Sequence, residues 1–245
     1  MKRFLKQIHR YLYIGSVVFF FILYYPFLYY YSRKRERFTG LNKVRRSLGF
    51  VTSAAVGFFY RFSFERPIDW SGKFIICANH SSILDITAIT LMVRSNFAFL
   101  GKEELLNNPV TGLFFKTVDI PLNRESKMSS FRAFKRADEY IRNGMSLVIF
   151  PEGKIPDTYP PQLSTFKNGP FKLAIEHQIP IIPVSITNAW EKMWDDGSEY
   201  GSRPGICHIC VHSQIETAGL TVDDTDLLGR KVHDIIKGRL EKNET

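Results

Sequence analysis

Residues 11–32 read YLYIGSVVFFFILYYPFLYYYS, 22 positions without a single charge. As a helix such a run extends roughly 33 Å, about the hydrocarbon thickness of a bilayer, so membrane contact is the first expectation. Lys2, Arg3, Lys6 and Arg10 precede it and Arg33, Lys34, Arg35 and Arg37 follow, while seven tyrosines crowd its two ends, as interfacial anchors do. Both flanks are positive, so the excess of basic residues does not orient the segment. A cleaved signal peptide has an apolar region of roughly 7 to 15 residues followed by small side chains. This run is longer and leaves through Tyr-Tyr-Tyr-Ser-Arg, and the reading keeps it in the mature chain.

Charge separates the chain into two parts. Lys and Arg number 33 against 24 Asp and Glu. Residues 1–66 hold 13 basic and 2 acidic side chains, a net +11, which leaves 20 and 22, a net −2, for residues 67–245. Nucleic-acid binding needs its basic residues on the folded body, so that function is excluded as an expectation. With 44% hydrophobic and 23% charged residues in 245 positions, the chain has material for a buried core and does not read as disordered. A second apolar stretch, residues 47–62, follows Lys43, Arg45 and Arg46; it is short for a span and reads as a helix in the membrane interface. Pro26 would bend the first helix so that both segments enter and leave on one side. The competing arrangement is a single span followed by an ordinary buried helix. The expected division is therefore membrane-anchoring helices over residues 1–66 and one α/β domain over residues 67–245.

Within that domain, short runs rich in Ile, Val and Phe recur at residues 74–78, 97–100, 146–150, 181–187 and 206–212. Helix-like patterns separate them at residues 83–93, 110–115, 127–143 and 169–177, and a capped polar helix closes the chain over residues 221–242. Strands alternating with helices predict an α/β fold with a mixed, partly parallel sheet flanked by helices. Ligand sites in such sheets form where a strand ends and its loop begins.

Three groups of polar residues fall at such ends. Asn79-His80-Ser81-Ser82-Ile83-Leu84-Asp85 follows the first run and opens a helix. In one reading Asp85, a turn into the helix, accepts the second imidazole N–H of His80, fixing its tautomer and raising its basicity toward a hydroxyl. In the other, Ser81 or Ser82 caps the helix and Asp85 complements its dipole. Phe150-Pro151-Glu152-Gly153 follows another strand. Gly153 lets backbone approach a ligand closely, and Glu152 is either an orienter of substrate hydroxyls or a buried acceptor of backbone N–H groups. Lys102, Arg124 and Lys167 supply donors of the kind an anionic ligand needs.

Cys207, His208, Cys210 and His212 invite a zinc reading. The two-residue period of a strand puts only His208, Cys210 and His212 on one face, one ligand short of a structural site, and no metal is expected. Three cysteines give no disulfide framework, in keeping with a reducing compartment. The absence of Gly-x-Ser-x-Gly weakens a serine hydrolase reading. Trp190 and Trp194 are either membrane-facing or merely packed.

Taken together, Asn79-His80-x4-Asp85, Lys102-x-Glu104-Leu105 with Pro109 and Gly112, Arg124, Phe150-Pro151-Glu152-Gly153 and Ile179-Pro180-Ile181-Ile182-Pro183-Val184 resemble the ordered blocks of the glycerolipid acyltransferase family, in particular the 1-acylglycerol-3-phosphate acyltransferases. Five blocks in order are far more specific than any one of them. The resemblance implies a domain tethered by N-terminal helices, a His80–Asp85 dyad as general base, and direct acyl transfer from an acyl carrier protein or coenzyme A thioester, with no other cofactor. It implies membrane lipids as partners, a lysolipid acceptor whose phosphate Lys102, Arg124 and Lys167 hold, with Glu152 and Gly153 beside it, and a catalytic domain on the cytoplasmic side of the membrane. Backbone N–H groups near the Pro-Glu-Gly turn or the start of the helix after His80 would steady the oxyanion.

Two stretches depart from the family's pattern. Val118-Asp119-Ile120-Pro121-Leu122-Asn123-Arg124 keeps only the arginine, and Pro-Glu-Gly continues as Lys154-Ile155-Pro156 where Thr-Arg-Ser is usual. Either Lys154 or Lys167 replaces the missing charge, or the acceptor is another lysolipid, aminoacylated or carrying a head group. A non-catalytic lipid-binding module is the reading from a different class.

Overall fold

The computed structural model describes residues 1–123 and 125–242. The chain opens with two helices, α1 (Lys2–Ser32) and α2 (Phe38–Ala54), and a strand, β1 (Phe58–Phe64). Next come β2 (Ile75–Ala78), α3 (Leu84–Met92), β3 (Phe97–Lys102), α4 (Thr111–Phe115), β4 (Ile120–Leu122), α5 (Lys127–Arg142) and β5 (Ser146–Ile149). The remainder supplies α6 (Gly169–Glu176), β6 (Ile181–Ile186), α7 (Ala189–Lys192), β7 (Gly205–Val211) and α8 (Thr225–Glu241). The strands form one sheet in the order β1-β7-β6-β2-β5-β3-β4. Every pairing is parallel except β6 with β7, so the sheet is the mixed, mostly parallel one that the alternation predicts.

At the centre, β2 lies between β5 and β6 and is buried at every position. A strand covered on both faces has no polar side to alternate. Its residues serve two cores in turn: Ile76 and Ala78 pack with Leu84, Ala88 and Ile89 of α3, while Ile75 and Cys77 pack with Ala137 and Ile141 of α5, Leu173 of α6 and Val232 of α8. The C-terminal end of β2 therefore emerges between two packed layers, which is where Asn79 and His80 stand.

The N-terminal part differs from the sequence expectation. Residues 58–64 are not the end of an interfacial helix: they form β1, which pairs with β7 from Phe58↔Gly205 to Phe64↔Val211. The expected boundary at residue 66 thus cuts off a strand of the sheet. The second helix, α2, starts earlier and is wedged into the body, with Leu41 and Leu48 buried. Arg45 of α2 reaches the buried Asp119 at 2.6 Å and stacks over the Phe114 ring; the other Asp119 oxygen accepts the Phe99 amide at 2.9 Å. Asp119, in the stretch that departs from the family pattern, is thus a structural anchor for α2. A buried carboxylate is stable only when so partnered.

Helix α1 continues through Pro26 and lies antiparallel to α2, with Ser16 Oγ donating to the Thr52 carbonyl at 2.9 Å and Tyr24 and Ser47 hydroxyls 2.9 Å apart. Polar contacts tie down both of its ends, Arg10 of its N-terminal turns to Asp196 and Arg35, just beyond its C-terminus, to Glu139. Tyr13, Phe21 and Leu28 face the body. Phe19, Ile22, Leu23 and Phe27 stay 59–67% exposed on the other side. An uninterrupted apolar stripe of this kind marks a surface made to meet lipid or protein.

Candidate active site

Asn79 ends β2 by bonding sideways to β6: its Nδ2 donates to the Ile186 carbonyl at 2.9 Å and its Oδ1 accepts the Ile186 amide at 2.7 Å. The chain then turns, and Asp85 in the first turn of α3 reaches back. Its Oδ2 accepts the Ser81 amide at 2.7 Å and the Ser82 amide at 2.9 Å, and lies 3.0 Å from His80 Nδ1. One fully buried oxygen therefore holds the turn before the helix and grips the imidazole, while Ser82 Oγ accepts the Leu84 amide at 3.1 Å. A carboxylate only accepts, so Nδ1 carries the proton and Nε2 keeps a free lone pair. The His80 ring lies flat on Phe150, with centroids 4.1 Å apart at 18°, which fixes the second ring axis.

Glu152 resolves in favour of the backbone. Its Oε1 accepts the His80 amide and its Oε2 the Ser164 amide, both at 2.8 Å. Burial pushes its carboxyl above the usual range, opposed by those two amides. The Pro-Glu-Gly turn closes with the Gly153 amide on the Phe150 carbonyl at 3.0 Å, and Gly153 sits at φ +82°, where a Cβ is strained. The expectation of a backbone oxyanion hole here is not met by these amides: those of His80, Ser81, Ser82, Gly153, Ser164 and Lys167 all donate within the protein. The buried Ser81 hydroxyl has no partner among the described residues.

A cleft of about 210 Å³ opens beside His80. Asn79, Ser81, Glu152, Thr187, Asn188, Trp190 and His208 line it, and Pro156, Pro161 and Leu163 come from the loop after β5. Neither Lys102 nor Lys167 lines it. Lys102 lies at the exposed end of β3, near enough that its charge acts on Asp195, whose carboxyl burial and Asp196 push upward. Lys167 is exposed, with its amide on the Pro151 carbonyl at 2.9 Å. The Lys154 side chain pairs with Asp157, and Arg124 lies outside the described residues.

The histidines of β7 part company. His208 joins His80 on the cleft, whereas His212, Cys210 and Glu65 cluster with ligand atoms within 4.8 Å of one another. Both His212 nitrogens are already engaged, Nδ1 with Glu65 Oε1 at 2.7 Å and Nε2 with Ser185 Oγ at 2.8 Å, which satisfies the cluster as hydrogen bonds. Trp190 lines the cleft, and Trp194 packs edge-on to Tyr159 at 5.6 Å. Sequence reasoning missed Asp195, Phe150 and His208 as neighbours of His80. Position directly after a strand was a signal for Phe150; the other two come from distant loops and strands.

Comparison with known proteins bears on the family and the fold. A family model described as acyltransferase matches residues 37–187. A 1-acyl-sn-glycerol-3-phosphate acyltransferase of Haemophilus influenzae is 30% identical over 172 residues, 68% of each chain. An uncharacterised acyltransferase of Schizosaccharomyces pombe is 28% identical over 73% of this chain, and the match spans 64% of that relative; human 1-acyl-sn-glycerol-3-phosphate acyltransferase beta is 27% identical, and the match again spans 64% of its length. The crystal structure of the lysophosphatidic acid acyltransferase PlsC from Thermotoga maritima superposes with a TM-score of 0.78 over 100% of this chain and 98% of that one, at 23% identity; at that identity the likeness speaks for the fold.

Proposed function

The chain belongs to the acyltransferase family, and from that we propose that it moves a fatty acyl group from an acyl thioester to the free hydroxyl of a lysolipid, 1-acylglycerol-3-phosphate being the leading acceptor. The observation that carries the reading is the His80–Asp85 pair, with Nδ1 held at 3.0 Å and the Nε2 lone pair left free beside a cleft. Nε2 takes the hydroxyl proton as the acceptor oxygen attacks the thioester carbonyl. The tetrahedral intermediate collapses with cleavage of the C–S bond, and the imidazolium returns the proton to the departing thiolate; no acyl-enzyme forms. Asp85 orients the ring and stabilises its charged form. The Ser81 hydroxyl, unpartnered among the described residues, is a donor available to the developing oxyanion.

In this reading Lys102, Arg124 and Lys167 hold the acceptor's phosphate, and an acyl carrier protein or coenzyme A thioester is the donor. The exposed stripe of α1 lies against the bilayer, so the lysolipid arrives laterally. The catalytic domain faces the cytoplasm, in keeping with three cysteines that are all buried thiols.

Among the described residues, no lysine or arginine lines the cleft. That, with Lys154-Ile155-Pro156, favours as a second reading an acceptor without a phosphate monoester. Transfer of a labelled acyl group to a panel of lysolipids, with His80→Ala as control, separates the two. His80-dependent transfer to lysophosphatidic acid supports the first, transfer only to another lysolipid supports the second, and lipid binding without any transfer leaves a non-catalytic module.

A further inference from the structure

Between α7 and β7 the chain makes a compact excursion, residues 193–202, closed at its neck by a bridge between Met193 and Ser202. This strap touches three things at once. Its outer side is stitched to the first turns of α1. The Ser202 amide donates to the Lys6 carbonyl at 2.9 Å, and His9 Nδ1 and Ser202 Oγ are 2.6 Å apart. Gln7 donates to the Ser198 carbonyl at 3.0 Å and Arg10 Nε to the Asp196 carbonyl at 2.8 Å, with the guanidinium also on Asp196 Oδ2 at 3.3 Å. The approach is so close that a Cβ on Gly201, at φ +72°, would lie 2.6 Å from the Lys6 backbone.

Its inner side is joined to the turn that carries His80. Asp195 donates its amide to the Ser81 carbonyl at 3.0 Å and accepts the Ile83 amide at 3.0 Å. Residues 81–83 include the two amides that hold Asp85 Oδ2, so the strap braces the segment that sets the dyad. Its third side meets the loop after β5. Tyr200 stacks on Tyr159 with centroids 4.3 Å apart and Trp194 meets the same ring at 5.6 Å; that loop supplies one wall of the cleft.

We propose that α1 is, besides an anchor, a positioning element for His80: Arg10 and Gln7, through the strap, hold the Ser81–Ile83 backbone that orients the dyad. The proposal rests on the acyl-transfer reading for its kinetic consequence and on geometry alone for its structural one. Phe4, Leu5, Tyr11 and Leu12 of the same helix end are more than half exposed; besides the strap, this end is held by His9 on the Val56 carbonyl and by His9 and Tyr13 against Phe58, and its exposed apolar side is suited to seat in lipid. Attachment to a bilayer and alignment of the dyad then become one event.

The test uses the full chain in lipid nanodiscs with Arg10→Ala, Arg10→Lys and, at the far end of α1, Tyr24→Phe. Hydrogen exchange at the Ser81, Ser82 and Ile83 amides is followed with kcat and KM. Arg10→Ala is expected to speed exchange at all three, and to lower kcat, by about tenfold each, the scale of one charge-assisted hydrogen bond, with KM for both substrates within about twofold. Arg10→Lys restores part of both effects and Tyr24→Phe changes neither. Faster exchange confined to residues 193–202, with the Ser81–Ile83 amides unmoved, overturns the proposal. If exchange rises at Ser81–Ile83 in a protein that transfers no acyl group to any lysolipid, the coupling stands and the acyl-transfer reading is what fails.

Discussion

Glu152→Gln distinguishes a carboxylate that supports the site from one that touches substrate. Each Glu152 oxygen accepts one part-buried amide at 2.8 Å, from His80 and from Ser164. A glutamine satisfies only one of them, and its NH2 faces the other N–H. Losing a hydrogen bond to a charged acceptor costs about 1.5–3 kcal/mol and leaving the amide part-buried and unpaired costs about 1–3 more; after partial relaxation a net loss of about 3 kcal/mol is expected. For a domain of this size that lowers Tm by about 6–12 °C. The same change frees the His80 backbone, so kcat falls while KM stays near its wild-type value. Differential scanning calorimetry and steady-state acyl transfer measure the two effects on one preparation. A Glu152→Gln protein as stable as wild type, with its loss confined to KM, would refute the backbone role and return Glu152 to the substrate.

Three further outcomes are expected. Arg45→Ala leaves Asp119 buried with its ion-pair partner gone, which should cost about 3–5 kcal/mol in urea unfolding; a cost below about 1 kcal/mol contradicts the anchoring of α2. Burial by itself raises the Glu65 carboxyl, but the Ser213 amide and His212 outweigh it and hold the group below the usual range. Its stabilisation is therefore present above the unfolded-state pKa and lost as pH falls through the folded-state value, and Glu65→Gln should flatten the acid limb of the urea midpoint against pH; an unchanged limb contradicts this. Serine at Phe19, Ile22 and Phe27 together should weaken liposome co-sedimentation by at least about tenfold without shifting Tm, since all three point away from the body; undiminished sedimentation would remove α1 as the lipid contact.

The sheet was legible wherever a strand is a short run of Ile, Val and Phe buried on both faces, as in β2, β5 and β6. β1 was not, because Phe58–Tyr60 continues the apolar run of the preceding helix, only Tyr60–Phe64 alternates aromatic with polar residues, and its partner is far away, Ser63 bonding across 146 positions to Ile209. β4 is three residues long with Pro121 at its centre, too short for any period to register. His80 with Asp85 could be read because five positions and one tight turn join them. Glu152 and Asp195 could not be assigned from the sequence: Glu152 acts on His80 from 72 positions away, and Asp195 does so through its backbone, so its side-chain type carries no signal. The basic residues show the limit of reading charge without geometry. Lysines are conspicuous in a sequence, yet Lys154 spends its charge on Asp157 and Lys167 stands off the cleft.

The base role of His80 is the centre of the account. Its most direct test is the rate of acyl transfer from a labelled thioester to lysophosphatidic acid by wild type and by His80→Ala, each shown to unfold at the same urea midpoint. A fall of about a hundredfold or more in kcat is predicted. Turnover within about twofold of wild type would contradict it.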